Sequence, residues 1–173
     1  MVLQEAWARH EVEKAPTIFE AHYNLAEMLQ RRGAIDEAIV HFQAAASIRP
    51  NDTVANNALG GALLAKGDVT DAVQRFQASI TAQPDYFDAH YNLGNALASQ
   101  EDFQGAAQQF GEAVRLNPED ANAQANLGTA LAQLGRLTEA KSHYETALRI
   151  DPGNQLAREN LVQLDRMLQE SPH

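Results

Sequence analysis

Five of the six prolines in this chain stand 34 residues apart, and this spacing constrains the fold more than any other feature. They are Pro16, Pro50, Pro84, Pro118 and Pro152. The segment AHYNL also occurs twice, starting at Ala21 and Ala89, which are two such periods apart. A fixed period of this length is typical of an array that repeats one small structural unit. The four predicted units cover about 19–52, 53–86, 87–120 and 121–154.

Small and apolar residues recur at fixed positions when each unit is counted from its first residue. Position three is Ala21, Ala55, Ala89 and Ala123, and position eight is Ala26, Gly60, Gly94 and Gly128. Position twenty-four is Phe42, Phe76, Phe110 and Tyr144. Within a unit the apolar residues follow helical spacing in two successive segments, which predicts two amphipathic helices. We expect the aromatic ring of the second helix to fill the space beside the small residues of the first.

The turn between the two helices is marked by a glycine in three of the four units. Gly33, Gly67 and Gly135 can adopt the left-handed conformation that ends a helix. The third unit has Glu101 at this place, so its turn must close without glycine. A single helix pair cannot bury its apolar faces, and neighbouring pairs must therefore stack into one core. The sequence predicts an all-α solenoid of antiparallel helix pairs over 17–154.

The two ends differ from the repeated units. Residues 1–16 resemble the second helix of a unit with two residues missing, and we expect a degenerate helix anchored mainly by Trp7. Residues 155–173 begin a fifth unit in which Asp165 replaces a leucine of the preceding units. Charged residues on the outer side are typical of a terminal capping helix. The N-terminal helix is either such a packing helix or the remnant of an upstream repeat.

Charge and composition exclude several classes of partner. The formal net charge is −10, and an acidic surface is repelled by phosphate backbones and anionic lipids. The chain has no cysteine, which removes thiol nucleophiles and cysteine metal sites, and no apolar run approaches the length of a membrane span. We expect a soluble, cytoplasmic protein that binds neither nucleic acid nor membranes. A periplasmic location and a place within a longer protein remain open alternatives.

Catalytic and metal-binding motifs are missing from the sequence. No two of the six histidines stand four residues apart on a helix, and no phosphate-binding or nucleophile-elbow motif occurs. His22 and His90 share position four, where packing between helices is the preferred interpretation. His41 and His143 stand directly before the aromatic residues of position twenty-four and are expected to face solvent. The sequence therefore predicts no enzyme, no cofactor and no metal.

The pattern of Leu93, Gly94, Ala106, Phe110 and Pro118, with its equivalents in the other units, resembles the signature of the tetratricopeptide repeat family. The resemblance covers about 19–168. It implies a right-handed superhelix in which the first helix of each pair lines a concave groove. It also implies that the chain binds peptides or proteins and is not catalytic.

The predicted groove carries asparagine at position six of the first helix. These residues are Asn24, Asn92, Asn126 and Asn160, and the second unit has Asn57 one residue before Ala58. Asparagine is a mediocre helix former, so its repetition has no stability rationale. Its amide offers a donor and an acceptor that match an extended peptide backbone. The alternative is that these amides bridge adjacent helices. Further groove candidates are Tyr23, Glu27, Asp88, Tyr91, Asn95, Asn122 and Thr129.

This asparagine pattern resembles the ladder in the repeat domain of O-linked N-acetylglucosamine transferases. The comparison extends only to Asn24, Asn92, Asn126 and Asn160, since Ala58 interrupts it. Repeats that clamp the C-terminal carboxylates of chaperones need basic residues at positions two, five or six, and none is present here. A neutral or basic ligand therefore fits the chain better.

We thus predict a protein-interaction scaffold that binds an extended peptide or partner segment in its groove. Two alternatives remain. The array could be an accessory domain of a larger enzyme such as a glycosyltransferase. It could also assemble with copies of itself through its N-terminal helix.

Overall fold

The computed structural model describes residues 2–170, with side chains described for residues 4–167. Within that part the chain forms ten α-helices and no strand, which confirms the predicted all-α fold. The helices are α1 (Val2–Lys14), α2 (Phe19–Arg31), α3 (Ile35–Ile48), α4 (Thr53–Lys66), α5 (Val69–Ala82), α6 (Phe87–Ser99), α7 (Phe103–Leu116), α8 (Ala121–Gln133), α9 (Leu137–Ile150) and α10 (Gln155–Glu170). None of these helices is both long and apolar enough to cross a membrane.

The chain divides into two compact units, each of which contains more than one 34-residue repeat. From here on, the first unit is Met1–Asn92 and the second unit is Leu93–His173. In the first unit, α2 packs on α3 and α4 packs on α5, while α1 contacts α2 and α3 contacts α4. In the second unit, α8 packs on α7 and α9, and α10 contacts both α8 and α9. A short turn joins the two helices of each pair, so they run antiparallel. This packing of sequence neighbours follows the predicted helix pairs.

The glycines of position eight lie directly against the aromatic rings of the second helices. A Cβ added at Gly60 would stand 2.6 Å from the Phe76 ring, and one at Gly94 would stand 2.6 Å from the Phe110 ring. Both rings are buried. A contact this short leaves no space for a methyl group. The prediction that the aromatic ring at position twenty-four fills the space beside the small residue at position eight is confirmed.

Left-handed turns close the helix pairs as the sequence predicts. Gly33, Gly67 and Gly135 have φ of 83°, 96° and 75°. Glu101 adopts the same conformation with φ of 61°, although a side chain at positive φ is strained by roughly 1–2 kcal/mol. The third turn therefore has the same shape as the others at a higher energetic cost.

Position four ties each first helix to the proline turn before it. In the first unit, His22 Nε2 lies 3.1 Å from the Pro16 carbonyl oxygen, and His90 Nε2 lies 2.9 Å from that of Pro84. Other residue types make the same contact elsewhere. Asn56 donates to Pro50, Gln124 donates to Pro118 and Arg158 donates to Pro152. Because different side chains perform the same task, the two histidines have a structural role that needs neither catalysis nor metal.

The expectation that His41 and His143 face solvent is wrong. Both are partly buried and turn toward position four of the preceding helix. His41 Nδ1 lies 3.0 Å from His22 Nδ1, and His143 Nδ1 lies 2.8 Å from Gln124 Oε1. The sequence pattern placed these histidines correctly on the second helix but missed that each has a polar partner to bond.

The N-terminal helix α1 is held differently from the other helices. Trp7, which we expected to anchor it, is 61% exposed, and Ala8 is buried instead. Ion pairs make the main polar connections: Arg9 bonds Glu37 of α3 at 2.6 Å, and Glu5 bonds Arg32 at 2.8 Å. The anchoring role predicted for Trp7 is therefore wrong, because α1 offers too few apolar residues to bury an indole ring.

Candidate functional site

The asparagines of position six lie on the first helices of both units. Asn24 is exposed, while Asn92, Asn126 and Asn160 are half-buried. Their helices carry alanine and leucine on the buried side, for example Leu25 and Leu93, which are 1% and 3% exposed. The helical period therefore places position six at the edge between the buried side and the accessible side of each first helix.

Three of these asparagines donate a hydrogen bond to the preceding first helix within their own unit. Asn92 Nδ2 donates to Asn57 Oδ1 at 3.1 Å. Asn126 Nδ2 donates to Asn95 Oδ1 at 3.3 Å, and Asn160 Nδ2 donates to Thr129 Oγ1 at 3.0 Å. The helix-bridging alternative is therefore realised in these contacts.

Bridging uses only part of the capacity of the Asn92 and Asn160 amides. An asparagine side chain has two N–H donors and an oxygen with two lone pairs, and the bridge occupies one donor. Asn24 has no hydrogen-bond partner among the described side chains. A bridged amide is held in one orientation, so any group that bonds its remaining atoms meets a preorganised partner.

Tyr23 forms part of the packed wall of the first unit. Its ring stacks on Phe19 with centroids 5.7 Å apart and meets Phe42 edge-on at 5.6 Å. Its hydroxyl donates to Glu27 Oε1 at 3.4 Å. Burial, followed by the nearby Glu27 carboxylate, raises the pKa of Tyr23 to about 12. The phenol therefore stays protonated and keeps Glu27, the other predicted residue, beside it.

Tyr86 is a residue of this region that the sequence analysis missed. It hydrogen-bonds Asp88 and Asn57, and burial followed by the Asp88 charge raises its pKa. The predicted residues Asp88 and Asn57 are thus brought together by a side chain outside the first helix. The residues one repeat before and after Tyr86 are Asp52 and Asp120, which cap helices by accepting from backbone N–H groups. A tyrosine at the place of a capping aspartate was the sequence signal that could have identified this residue.

Three further predicted residues, Tyr91, Thr129 and Asn122, make contacts with neighbouring side chains. Tyr91 stacks on Phe87 with ring centroids 5.9 Å apart, which fixes its ring against α6. In the second unit, Thr129 accepts from Asn160 and from the Tyr144 hydroxyl, the latter at 3.2 Å. Asn122 accepts from Asn154 at 3.0 Å. These contacts place Thr129 at the centre of a small polar network.

The described side chains offer no group of three or more histidine or carboxylate residues that could hold a metal ion. The position-six edge instead carries neutral amides and hydroxyls, with the carboxylates Glu27 and Asp88 beside them on the first helices. The amides and hydroxyls bind through directional hydrogen bonds.

Comparison with known proteins identifies the architecture. Family models described as tetratricopeptide repeat match residues 19–52, 57–112 and 95–155. No curated protein sequence matches the chain.

Several solved structures share the fold. The crystal structure of YrrB, described as a TPR protein with an unusual peptide-binding site, superposes with a TM-score of 0.81 at 23% identity, covering 94% of this chain and 84% of that chain. A structure of MamA gives 0.80 at 21% identity over 84% of this chain and 85% of that chain. The fragment of MamA from residue 41 to its end, from Desulfovibrio magneticus RS-1, gives 0.83 at 24% identity over 88% and 86%. At these identities the likeness concerns the fold, but the family models match more than half of the sequence. The chain therefore belongs to the tetratricopeptide repeat family.

Proposed function

We propose that this protein is an interaction module that holds an extended segment of a partner protein against its first helices. The observation that carries the proposal is the repeated position-six amide, which stands at the accessible edge of the helix. In Asn92, Asn126 and Asn160 it is also oriented by a bridge to the neighbouring helix. The tetratricopeptide fold favours a scaffold function, and the similar structure YrrB has a peptide-binding site.

The chemistry of binding follows from the bridged geometry. In Asn92 and Asn160 the bridge engages Nδ2 as donor, so the amide oxygen accepts an N–H group from the main chain of the ligand. The unbridged amide of Asn24 offers its oxygen in the same way. Main-chain recognition does not depend on the ligand's side chains, so it suits an extended segment of varied sequence. Each such hydrogen bond contributes about 0.5–1.5 kcal/mol. Three such contacts contribute about 1.5–4.5 kcal/mol, which corresponds to millimolar or weaker binding before side chains add to it.

The charge of the ligand is set by the surroundings of these amides. Glu27 and Asp88 lie beside the position-six asparagines of the first unit, and the whole chain carries a net charge of −10. A neutral or basic segment is attracted to this surface, while an acidic one is repelled.

The experiment that tests the proposal is a quantitative pull-down with the intact protein and with an Asn24→Ala variant. Asn24 is exposed and has no partner among the described side chains, so its loss leaves the fold intact. We expect partner recovery to fall by about 2- to 12-fold, the equivalent of one hydrogen bond. A triple variant that also changes Asn92 and Asn160 to Ala should lose the partner.

The matched control is Asn51→Ala, which removes an exposed asparagine from the turn between α3 and α4. It should recover partners as well as the intact protein does. Equal recovery by the triple variant, with its helical content unchanged by circular dichroism, would show that the position-six amides do not bind the partner.

A further inference from the structure

The helices α1 and α10 keep the register of the 34-residue repeat. Helix α1 ends at Lys14, 34 residues before the end of α3 at Ile48. Helix α10 begins at Gln155, 34 residues after the start of α8 at Ala121. Helix α1 therefore has the register of a second helix, and α10 has that of a first helix. One α10 and one α1 together have the register of a complete helix pair.

Each of these two helices exposes an apolar side chain at a position that faces the other helix of a complete pair. Trp7 of α1 is 61% exposed, and Val162 of α10 is 49% exposed. In a complete pair, His41 is the equivalent of Trp7, and its Nδ1 lies 3.0 Å from that of His22 on the first helix. Gly60 is the equivalent of Val162, and it lies against the aromatic ring of the second helix. Trp7 and Val162 thus mark the faces that would meet if α10 paired with α1.

The residue at position twenty-four decides which second helix fits against α10. Complete repeats have glycine or alanine at position eight, where the aromatic ring of position twenty-four leaves little space. A Cβ added at Gly94 would stand 2.6 Å from the Phe110 ring, so the larger Val162 does not fit against a second helix with such a ring. Helix α1 has Ala8 at position twenty-four and leaves that space open. Among the second helices that the structure describes, α1 is the one that suits Val162.

The charges on the two faces are complementary. Arg158 occupies position four of α10, which is the position that meets position twenty-three in a complete pair. On α1, position twenty-three is Trp7, and Glu11 lies one turn further on the same face. A guanidinium group can lie over an indole ring and also bond a carboxylate. Arg158 donates to the Pro152 carbonyl and keeps further N–H donors for such contacts.

We propose that copies of this chain associate with one another through α10 of one copy and α1 of the next, which together form a helix pair of the repeat type. The two faces are different, so the interface is heterologous, and association continues to larger assemblies unless it closes into a ring. Trp7, Glu11, Arg158 and Val162 form the contact. The position-six asparagines take no part in it, so this inference stands apart from the proposed function.

Sedimentation velocity of the whole protein with two blocking variants tests the proposal. Trp7→Glu places a charge on the α1 face, and Val162→Glu places one on the α10 face. We expect the mass of the intact protein to rise with concentration, and each variant alone to associate about tenfold more weakly or less. An equimolar mixture of the two variants should form dimers, because it contains one unchanged face of each kind. The matched control is Val40→Glu, which changes a 60% exposed valine on α3 and should associate as the intact protein does.

Tryptophan fluorescence reports the same contact from the α1 side. Trp7 is the only tryptophan of the chain, so its emission describes this face alone. We expect the emission to shift to shorter wavelength as the concentration of the intact protein rises. The shift should be lost in Val162→Glu, in which the indole itself is unchanged.

A charge exchange tests the individual ion pair. Glu11→Arg and Arg158→Glu should each weaken association, and the double variant should recover it because opposite charges again face each other. Circular dichroism checks that each variant is folded. The proposal is overturned if the intact protein keeps the monomer mass at every concentration, if the mixture of blocking variants is no heavier than its components, or if the double variant associates no better than the single ones. Association that survives Val162→Glu but not Trp7→Glu would show that α1 pairs with another α1, which also overturns it.

Discussion

The first helices of the two units present the same amide in different surroundings. In the second unit, the position-six asparagine bonds position nine of the preceding first helix, which is Asn95 or Thr129. In the first unit, the first helix that precedes Asn92 is α4. Position nine of α4 is Gly61, which has no side chain, and Asn92 bonds Asn57 at position five of α4 instead. The amide takes whichever polar partner the neighbouring helix offers. The bridge therefore orients the amide but does not depend on one partner.

The flanking residues of the two units differ as well. Tyr23, Glu27 and Asp88 border the amides of the first unit, whereas the same repeat positions in the second unit hold Ala125, Thr129 and Asn122. These positions are aromatic and acidic in the first unit, and small or neutral in the second. On the proposed function, we therefore expect a basic ligand to be attracted more strongly to the first unit than to the second.

The largest expected effect comes from the adjacent glycines of α4. A Cβ at Gly60 would stand 2.6 Å from the Phe76 ring, while a Cβ at Gly61 would meet nothing within 4 Å. We expect Gly60→Ala to lower the free energy of unfolding by about 1–3 kcal/mol because the ring must move. Gly61→Ala should raise it by about 0.5–1 kcal/mol because alanine favours the helix. Urea denaturation of both variants checks this. Similar effects of the two substitutions would contradict the packing described for the first unit.

An intermediate effect is expected at the turns, where the units also differ. Gly67 in the first unit and Glu101 in the second occupy the same turn at positive φ. Gly67→Ala should destabilise the protein by about 1 kcal/mol, and Glu101→Gly should stabilise it by a smaller amount, because glycine adopts this conformation without strain. Thermal unfolding would detect both. A destabilising Glu101→Gly would show that the glutamate side chain contributes more than its backbone strain costs.

A smaller effect is expected from pH. In the first unit, a carbonyl oxygen can only accept, so His22 donates to Pro16 through Nε2–H, and its Nδ1 lies 3.0 Å from His41 Nδ1. Burial, His22 and Arg9 lower the pKa of His41 below 6.5, while Glu37 opposes this shift. The unfolded chain then takes up protons more readily as the pH falls through 6.5, and the free energy of unfolding decreases in that range. In the second unit, burial lowers the pKa of His143 in the same direction, but its partner Gln124 carries no charge.

The His22→Gln variant gives the first unit the glutamine–histidine pairing of the second. It should reduce the loss of stability between neutral pH and pH 5 because one source of repulsion at His41 is removed. Thermal midpoints measured across this pH range test the expectation. His143→Gln removes the histidine of the second unit whose pKa is lowered, and it should reduce the loss of stability as well. An unchanged pH dependence in both variants would show that neither histidine governs acid sensitivity.

Much of the fold could be predicted because the period repeats the same local choices. The glycine and aromatic columns fix which faces pack, and the prolines mark where each unit ends. Trp7, His41 and His143 were misplaced because their surroundings depend on partners in other helices, which a column of residues does not reveal. The asparagines were found by their repetition, but their bridges were not predicted to dominate, since choosing between a neighbour and a ligand requires distances. Tyr86 was missed because it lies outside the first helix.

The most direct test of the account is nuclear magnetic resonance of the asparagine side-chain amides during titration with a peptide selected by phage display. The account predicts that the signals of Asn24, Asn92, Asn126 and Asn160 shift as the peptide binds. The signals of Asn51 and Asn117, which lie in exposed turns, should stay unchanged. Binding that shifts the turn asparagines and leaves the position-six amides unaffected would contradict the central claim.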